Sequence, residues 1–446
     1  MTGTAAARAS ALCLTILLPG LLAAVAGPAL AAGEWVRDPG SGCAIWDQAP
    51  APEVTFTWRG ECKGGKAEGE GVAEWKRADG SLYRRYEGGL HDGLRHGRGK
   101  LEEADGSGYE GDYKDGLMHG SGVWVDADGN RYEGALVGGK PEGKGTYIAK
   151  NGDRYVGEFR DGVNQGKGRF VWSNGEKYEG EVANGVPEGK GEFWTADGNH
   201  YQGQVHQGAM HGRGELAMAN GDVYKGSFVE GRIEGVGVFT WSGGGRYEGP
   251  MVAGKPEGKG VYVGTDGSRY EGPFVGGRMQ GEGIYVFANG NRYQGAVNEG
   301  RLEGRGALVL KDGDRYEGAF VNGQLQGQGV LVTADGRRYE GEFEDGLPSG
   351  AGVLTGPNGY RYEGAFKDGL PNGEGVIEWG ERGRYEGAVQ AALMHGHGRF
   401  TSPNGDAYEG DFVEGRQHGI GRCRSGTDGA WQKCEWKNGE IVGWPD

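Results

Sequence analysis

The sequence predicts an all-β protein, an elongated single-sheet solenoid of stacked antiparallel β-hairpins. Three observations carry that expectation. A Tyr followed two residues later by Gly recurs from Tyr86, Tyr109 and Tyr132 through Tyr270 and Tyr339 to Tyr408, fifteen times at an unvarying interval of 23 residues. Gly makes up 98 of the 446 residues while hydrophobic residues reach only 36%, which leaves too little apolar matter for a large conventional core and too much Gly for buried helices. Within each unit the apolar positions alternate with a period of two, the spacing of a strand.

Residues 1–32 read as a secretory signal: Arg8 supplies the positive end, Ala11 to Ala26 an apolar run broken by Pro19 and Gly20, and Ala29-Leu30-Ala31 a small-residue cleavage site. The expected location is therefore exported, whether periplasm, cell surface or medium. Residues 33–85 form an N-terminal cap around a degenerate unit, in which Trp58 stands for Tyr and Gly65, Gly69 and Gly71 keep their places. The step from Trp58 to Tyr86 is 28, so five residues are inserted around Arg77 to Arg84. Residues 86–421 are the repeat array. Residues 422–446 form a C-terminal cap in which Trp431, 23 residues after Tyr408, is expected to replace the Tyr of a broken unit. Terminal units of a solenoid must differ from the rest because they expose unpaired edges.

Once the signal is removed, Cys43, Cys62, Cys423 and Cys434 remain. An even number of Cys in an exported chain points to disulfides. Of the three pairings, Cys43–Cys62 and Cys423–Cys434 are expected, since the array should hold the two ends apart. A four-thiolate zinc site would need those ends to meet and lacks Cys-x-x-Cys spacing.

With the Tyr as position zero, Gly occupies +2, +11 and +13 in all fifteen units and +7 in fourteen, with Ala392 the exception. Position +4 is aromatic or aliphatic (Phe159, Phe320, Phe366), and +15 behaves likewise. Tyr, +2 and +4 share one face of a first strand; +11, +13 and +15 repeat the pattern on a second. The segment +5 to +10, such as Lys367 to Asn372, is expected to be the turn. The Asp-Gly or Asn-Gly pair at −4 and −3 is expected to supply positive φ for a tight turn into the next unit. Gly beside a large ring lets the ring lie flat over the neighbouring backbone. On the other face, Arg or Lys at −1 and Glu at +1 occur in eleven units each and are expected to form ladders of alternating sign.

The unit from Tyr339 to Gly352, Tyr-Glu-Gly-x-Phe-x-x-Gly-x-x-x-Gly-x-Gly, resembles the MORN (membrane occupation and recognition nexus) repeat, and the 23-residue period matches. The resemblance implies stacked antiparallel hairpins and scaffold or adapter roles, in some relatives with dimerisation or phospholipid association. Many relatives join the repeats to a catalytic domain, for which this chain has no space outside the array.

Charge and motifs narrow the function. A formal net charge of −15 opposes nucleic acid and disfavours anionic lipid surfaces. Gly138 to Gly145 approaches a phosphate-binding loop but carries Gly145 where Ser or Thr is needed. Asp126 to Asn130 begins like a calcium loop and has Val137 at its twelfth position. His96, His119, His211, His395 and His418 fall at +10, a turn position, and only His395, His397 and His418 suggest a metal grouping. No catalytic residue, cofactor or metal is expected. The reading is a non-enzymatic scaffold that binds protein partners or itself. The alternative is a module that binds glycan, peptidoglycan or lipid head groups on its aromatic face, through Tyr132, Phe159, Tyr270, Phe320, Tyr339 and Phe366.

Overall fold

A computed structural model describes residues 33–445. The signal expected over residues 1–32 lies outside them. Among the described residues the protein is all-β, with 37 strands and two short 3-10 turns, Pro357–Gly359 and Gly380–Arg382. It divides into two compact units, residues up to 242 and residues from 243. Within each, consecutive hairpins pair edge to edge in chain order.

A hairpin of the first unit shows the plan. Strand Arg154–Arg160 pairs antiparallel with strand Val163–Val171, placing Tyr155 opposite Phe170, Gly157 opposite Gly168 and Arg160 opposite Val163. The second strand then pairs with Lys177–Ala183 of the next repeat, Gly168 opposite Gly180 and Phe170 opposite Tyr178. In the second unit, strands Arg315–Val321 and Gln324–Val332 follow the same register, Tyr316 opposite Leu331 and Gly318 opposite Gly329.

The structure corrects the expected turn. It spans two residues, not six: Asp368 and Gly369 alone separate strands Tyr360–Lys367 and Leu370–Trp379, with φ of +50° and +84°. Two successive positive φ values define the primed turn whose twist matches that of the flanking strands. At the other end of the unit only the Gly of the pair is left-handed, save at Asn358-Gly359, where both residues are. Gly129, with φ +90°, closes a three-residue loop in which its N–H donates to Asp126 O at 3.0 Å. Position +11 departs as well. Gly166 has φ +72° and sits in a bulge where the register shifts after Gly157. It therefore breaks the period of two instead of extending it.

Side chains and backbone tie each hairpin to the next at both edges. The N–H at +7 donates to the preceding unit's +9 carbonyl, as Gly162 does to Pro141 O at 2.9 Å and Gly323 to Leu302 O at 2.9 Å. The carboxylate at +10 accepts from the next unit's turn, as Glu142 does from Asp161 N at 3.0 Å and Glu303 from Asn322 N at 3.0 Å. At the opposite edge Asp153 accepts from Ser173 N at 2.7 Å and Asp314 from Ala334 N at 2.8 Å. Burial opposes the charge on Asp153, yet the Ser173 N–H and the Asn151 amide hold its carboxyl below the usual range.

The core is a seam of rings over Gly. Tyr132 donates its hydroxyl to Ala135 O at 2.7 Å, beside the bulge, and Tyr316 to Ala319 O at 3.0 Å. A Cβ on Gly145 would lie 2.5 Å from the Tyr132 hydroxyl, and one on Gly329 2.5 Å from the Tyr316 hydroxyl, so only Gly leaves room for the ring. Each Phe at +4 wedges edge-on between its own Tyr and the preceding one. Phe159 lies 5.1 Å from Tyr132 and 5.2 Å from Tyr155, and Phe320 lies 5.1 Å from Tyr293 and 5.2 Å from Tyr316. Such rings substitute for a second layer, because a single hairpin is marginal by itself.

Both termini carry disulfides, Cys43–Cys62 and Cys423–Cys434. The N-terminal segment does more than close an edge: it runs along successive turns. Ala44 N donates to Gly65 O at 3.0 Å, Trp46 N to Gly93 O at 2.9 Å and Gln48 Nε2 to Gly116 O at 2.7 Å. Arg84, inside the inserted segment, is buried between Asp47 and Glu103 at 2.7 Å each, which fastens this segment to the first repeats. At the other end Trp431 does not take the Tyr position. It stands among Arg399, Arg422 and Arg424 at 5.2–5.3 Å, and Trp436 instead meets the Tyr408 ring at 5.7 Å. The disulfide-closed strand Gln432–Lys437 follows a register different from that of the repeats, with Cys434 opposite Gly421.

Candidate functional site

The six aromatic residues expected to form a ligand face are buried. Tyr132, Phe159, Tyr270, Phe320, Tyr339 and Phe366 are each no more than 5% exposed. Their faces are spent on neighbouring rings and their edges on Gly. Desolvation pushes the Tyr132 and Tyr339 hydroxyls up to about 12. A sugar ring has no free surface to stack on there, so the aromatic-face reading of glycan or head-group binding is withdrawn.

The opposite face is open. Its first-strand positions carry Arg and Glu, paired along the strand: Arg131–Glu133 at 2.7 Å, Arg269–Glu271 at 2.7 Å, Arg338–Glu340 at 2.7 Å and Arg384–Glu386 at 2.7 Å. The expected ladder of alternating sign across strands is formed only locally, as where Lys225 meets Glu215 of the neighbouring strand at 3.0 Å, and it does not run along the second unit. Second-strand residues come between, so that Glu271 stands between Val261 and Ile284, and Arg269 between Val263 and Val286. There the charges meet within one strand, separated from the next pair by aliphatic side chains.

Concavities lie on this face in both units. In the first unit a cavity of about 700 Å³ is lined by Lys167, Arg169, Glu179, Lys190, Glu192 and Arg213. In the second a cavity of about 400 Å³ is lined by Glu248, Lys259, Val261, Glu271 and Ile284. Such a surface offers ion pairs, hydrogen bonds and small apolar contacts in both units.

The motifs set aside in the sequence have structural roles. Gly138 and Gly139 are the two left-handed residues of a hairpin turn. The Asp126 carboxylate accepts from Asn130 N at 2.9 Å and so closes its own loop. His397 faces Asp411 at 3.4 Å, and among the described residues no three His, Cys, Asp or Glu side chains are grouped to hold a metal ion. Among those residues no helix is long and apolar enough to cross a membrane.

One residue of this face was overlooked in the sequence, although its parity marks it. Trp194, at +16, falls on the strand side opposite Tyr, and no other Trp, Tyr or Phe of residues 86–421 occupies such a position.

Comparison with known proteins agrees with this geometry. A family model described as MORN repeat matches fifteen consecutive segments, from residues 86–108 and 109–131 through to 385–407 and 408–429. A search of curated proteins finds no match. Among solved structures, the wild-type TCP10 domain of Danio rerio CPAP is 14% identical, covering 55% of this chain and 98% of its own, with a TM-score of 0.20. The SAS-4 (dCPAP) TCP domain of Drosophila melanogaster, in complex with a proline-rich motif of Ana2 (dSTIL), is 13% identical, covering 35% of this chain and 85% of its own, with a TM-score of 0.24. At those scores neither likeness carries an argument about function.

Proposed function

The chain belongs to the MORN repeat family, and on that premise we propose that it is an exported, non-enzymatic scaffold or adapter whose open face binds protein partners or a second copy of itself. One observation carries this reading. The Tyr, Phe and Gly side is consumed by packing in both units, whereas the opposite side is left open at hairpin after hairpin. Repetition of small contacts suits a large, shallow protein interface better than a small enclosed reaction centre. The two disulfides support export, because such bonds persist in oxidising compartments. The net charge of −15 argues against nucleic acid and anionic bilayers as partners.

Crosslinking of the full chain in its native envelope, followed by partner identification, tests the proposal. The expected result is a reproducible crosslinked species that is lost when Val330, Glu340 and Val353 on the open face are replaced together by Ser, Lys and Ser. Recovery of free monomer alone would contradict it.

A further inference from the structure

Trp194 departs from its repeat. Elsewhere in the first unit +16 is Glu102, Val125, Ile148, Val171, Ala217 or Thr240, none of them aromatic. Here it is an indole on the open face, in the row Lys177, Trp194, His200. The ring is held in place. His200 stacks on it at 5.0 Å with 13° between the planes, and Glu192 fixes His200 through Nε2 at 2.9 Å. Glu192 is itself held by Gln202 Nε2 at 3.1 Å. One face of the indole is thus covered, and the Lys177 side opens onto a cavity of about 400 Å³.

That cavity combines three kinds of group. Trp194 supplies an apolar plane. Arg169 and Lys177 supply two cations, each without an ion-pair partner within 4.0 Å among the described residues. Glu179, opposite Arg169 on the neighbouring strand, supplies a carboxylate. The far wall is the turn around Gly175, where a Cβ would meet nothing within 4 Å, so the mouth is open to a ligand longer than one ring. A simple inorganic anion would satisfy the cations but be repelled by Glu179. A neutral sugar would satisfy the indole and Glu179 but leave the cations idle. A ring that bears hydroxyls and a carboxylate uses every group: its C–H face lies on the indole, its hydroxyls donate to Glu179, and its carboxylate accepts from Arg169 and Lys177.

We propose that Trp194, Arg169, Lys177 and Glu179 form a binding site for an acidic sugar, a hexuronate unit within a glycan chain. The site is separate from the Tyr/Phe seam, whose rings are buried, and it needs no protein partner.

Calorimetry with the full, disulfide-bonded chain and α-1,4-linked trigalacturonic acid tests it, with maltotriose as the uncharged counterpart. Saturable binding of trigalacturonate is expected, with maltotriose weaker by about tenfold or more, the size of one lost charge-assisted hydrogen bond. Trp194→Ala and Lys177→Ala should each weaken trigalacturonate about tenfold, and Trp194→Phe should recover part of the loss. In the unsubstituted chain, saturating trigalacturonate should shield Trp194 from hydroxyl-radical oxidation, a readout that requires no variant to fold. No binding at millimolar ligand, equal binding of maltotriose, unchanged affinity in Trp194→Ala, or unaltered oxidation of Trp194 would overturn the proposal.

Discussion

The open face of residues 246–355 and that of residues 154–217 are built on the same interior yet look unlike each other. In the later stretch first strands present Arg–Glu pairs, save Arg292 with Gln294, and second strands present aliphatic pairs such as Val261 with Val263, Ile284 with Val286 and Val330 with Val332. In the earlier stretch the corresponding pairs are Arg169 with Val171, Glu192 with Trp194 and Glu215 with Ala217, and the Arg–Glu pairing gives way to Arg154 with Val156 and His200 with Gln202. Below both, Tyr lies on two Gly and donates to the +3 carbonyl. The difference shows where the fold leaves choice. Ring against backbone admits one residue type at each position, whereas the open face asks only for side chains that tolerate water.

Substitution should separate the two sides sharply. Tyr178→Ala and Tyr316→Ala remove a buried ring in each stretch and should cost about 3–5 kcal/mol each in urea unfolding monitored by circular dichroism. Similar losses in the two stretches would sustain the claim of a common interior; a loss confined to one would break it. Gly145→Ala and Gly329→Ala place a methyl against the Tyr hydroxyl and should cost about 1–3 kcal/mol by the same measurement.

High pH probes the interior as a whole. A free phenol titrates near 10, whereas burial raises Tyr132, Tyr339 and Tyr362 to about 12. Their folded values lie above the unfolded one, so their contribution is complete below pH 10 and is lost as pH rises through 12. Stability measured by thermal melts should therefore hold level to pH 10 and then fall, with phenolate absorbance appearing together with unfolding. Phenolate appearing at pH 10 while the chain stays folded would show that the rings are accessible.

Two smaller effects sharpen the contrast. Ala392 holds φ of +65° at a place where other repeats use Gly, so Ala392→Gly should stabilise by about 1 kcal/mol in urea titration. On the open face Arg338→Ala should change stability by less than about 1 kcal/mol, because its partner Glu340 is exposed. A larger loss would mean that the ion pairs hold the sheet together.

The sequence made the interior legible and the edges much less so. Tyr with Gly two residues on and an apolar residue at +4 state the ring-over-backbone packing directly, since no larger residue than Gly fits beneath the ring. The disulfide pairing was legible too, because a solenoid keeps its ends apart. The two-residue turn was hidden because Asp368-Gly369 is followed by Leu370-Pro371-Asn372, a run of turn-forming types that in fact continues the strand as Pro371 pairs with Phe366. The bulge at Gly166 was hidden because Gly at +11 and +13 look alike, although one is needed for positive φ and the other for space. Trp431 kept the spacing of Tyr but not its surroundings, since the disulfide-bonded strand that follows it has another register. The run of residues 44–48 along the turns depends on distant backbone groups that no local pattern announces.

Hydroxyl-radical footprinting of the native chain, read by mass spectrometry, tests the central claim that one side of every hairpin is packing and the other is presented. Tyr178, Tyr270 and Tyr339 should resist oxidation until the chain unfolds, while Val275 and Trp194 react at once. Rapid oxidation of those tyrosines in the folded protein would contradict it.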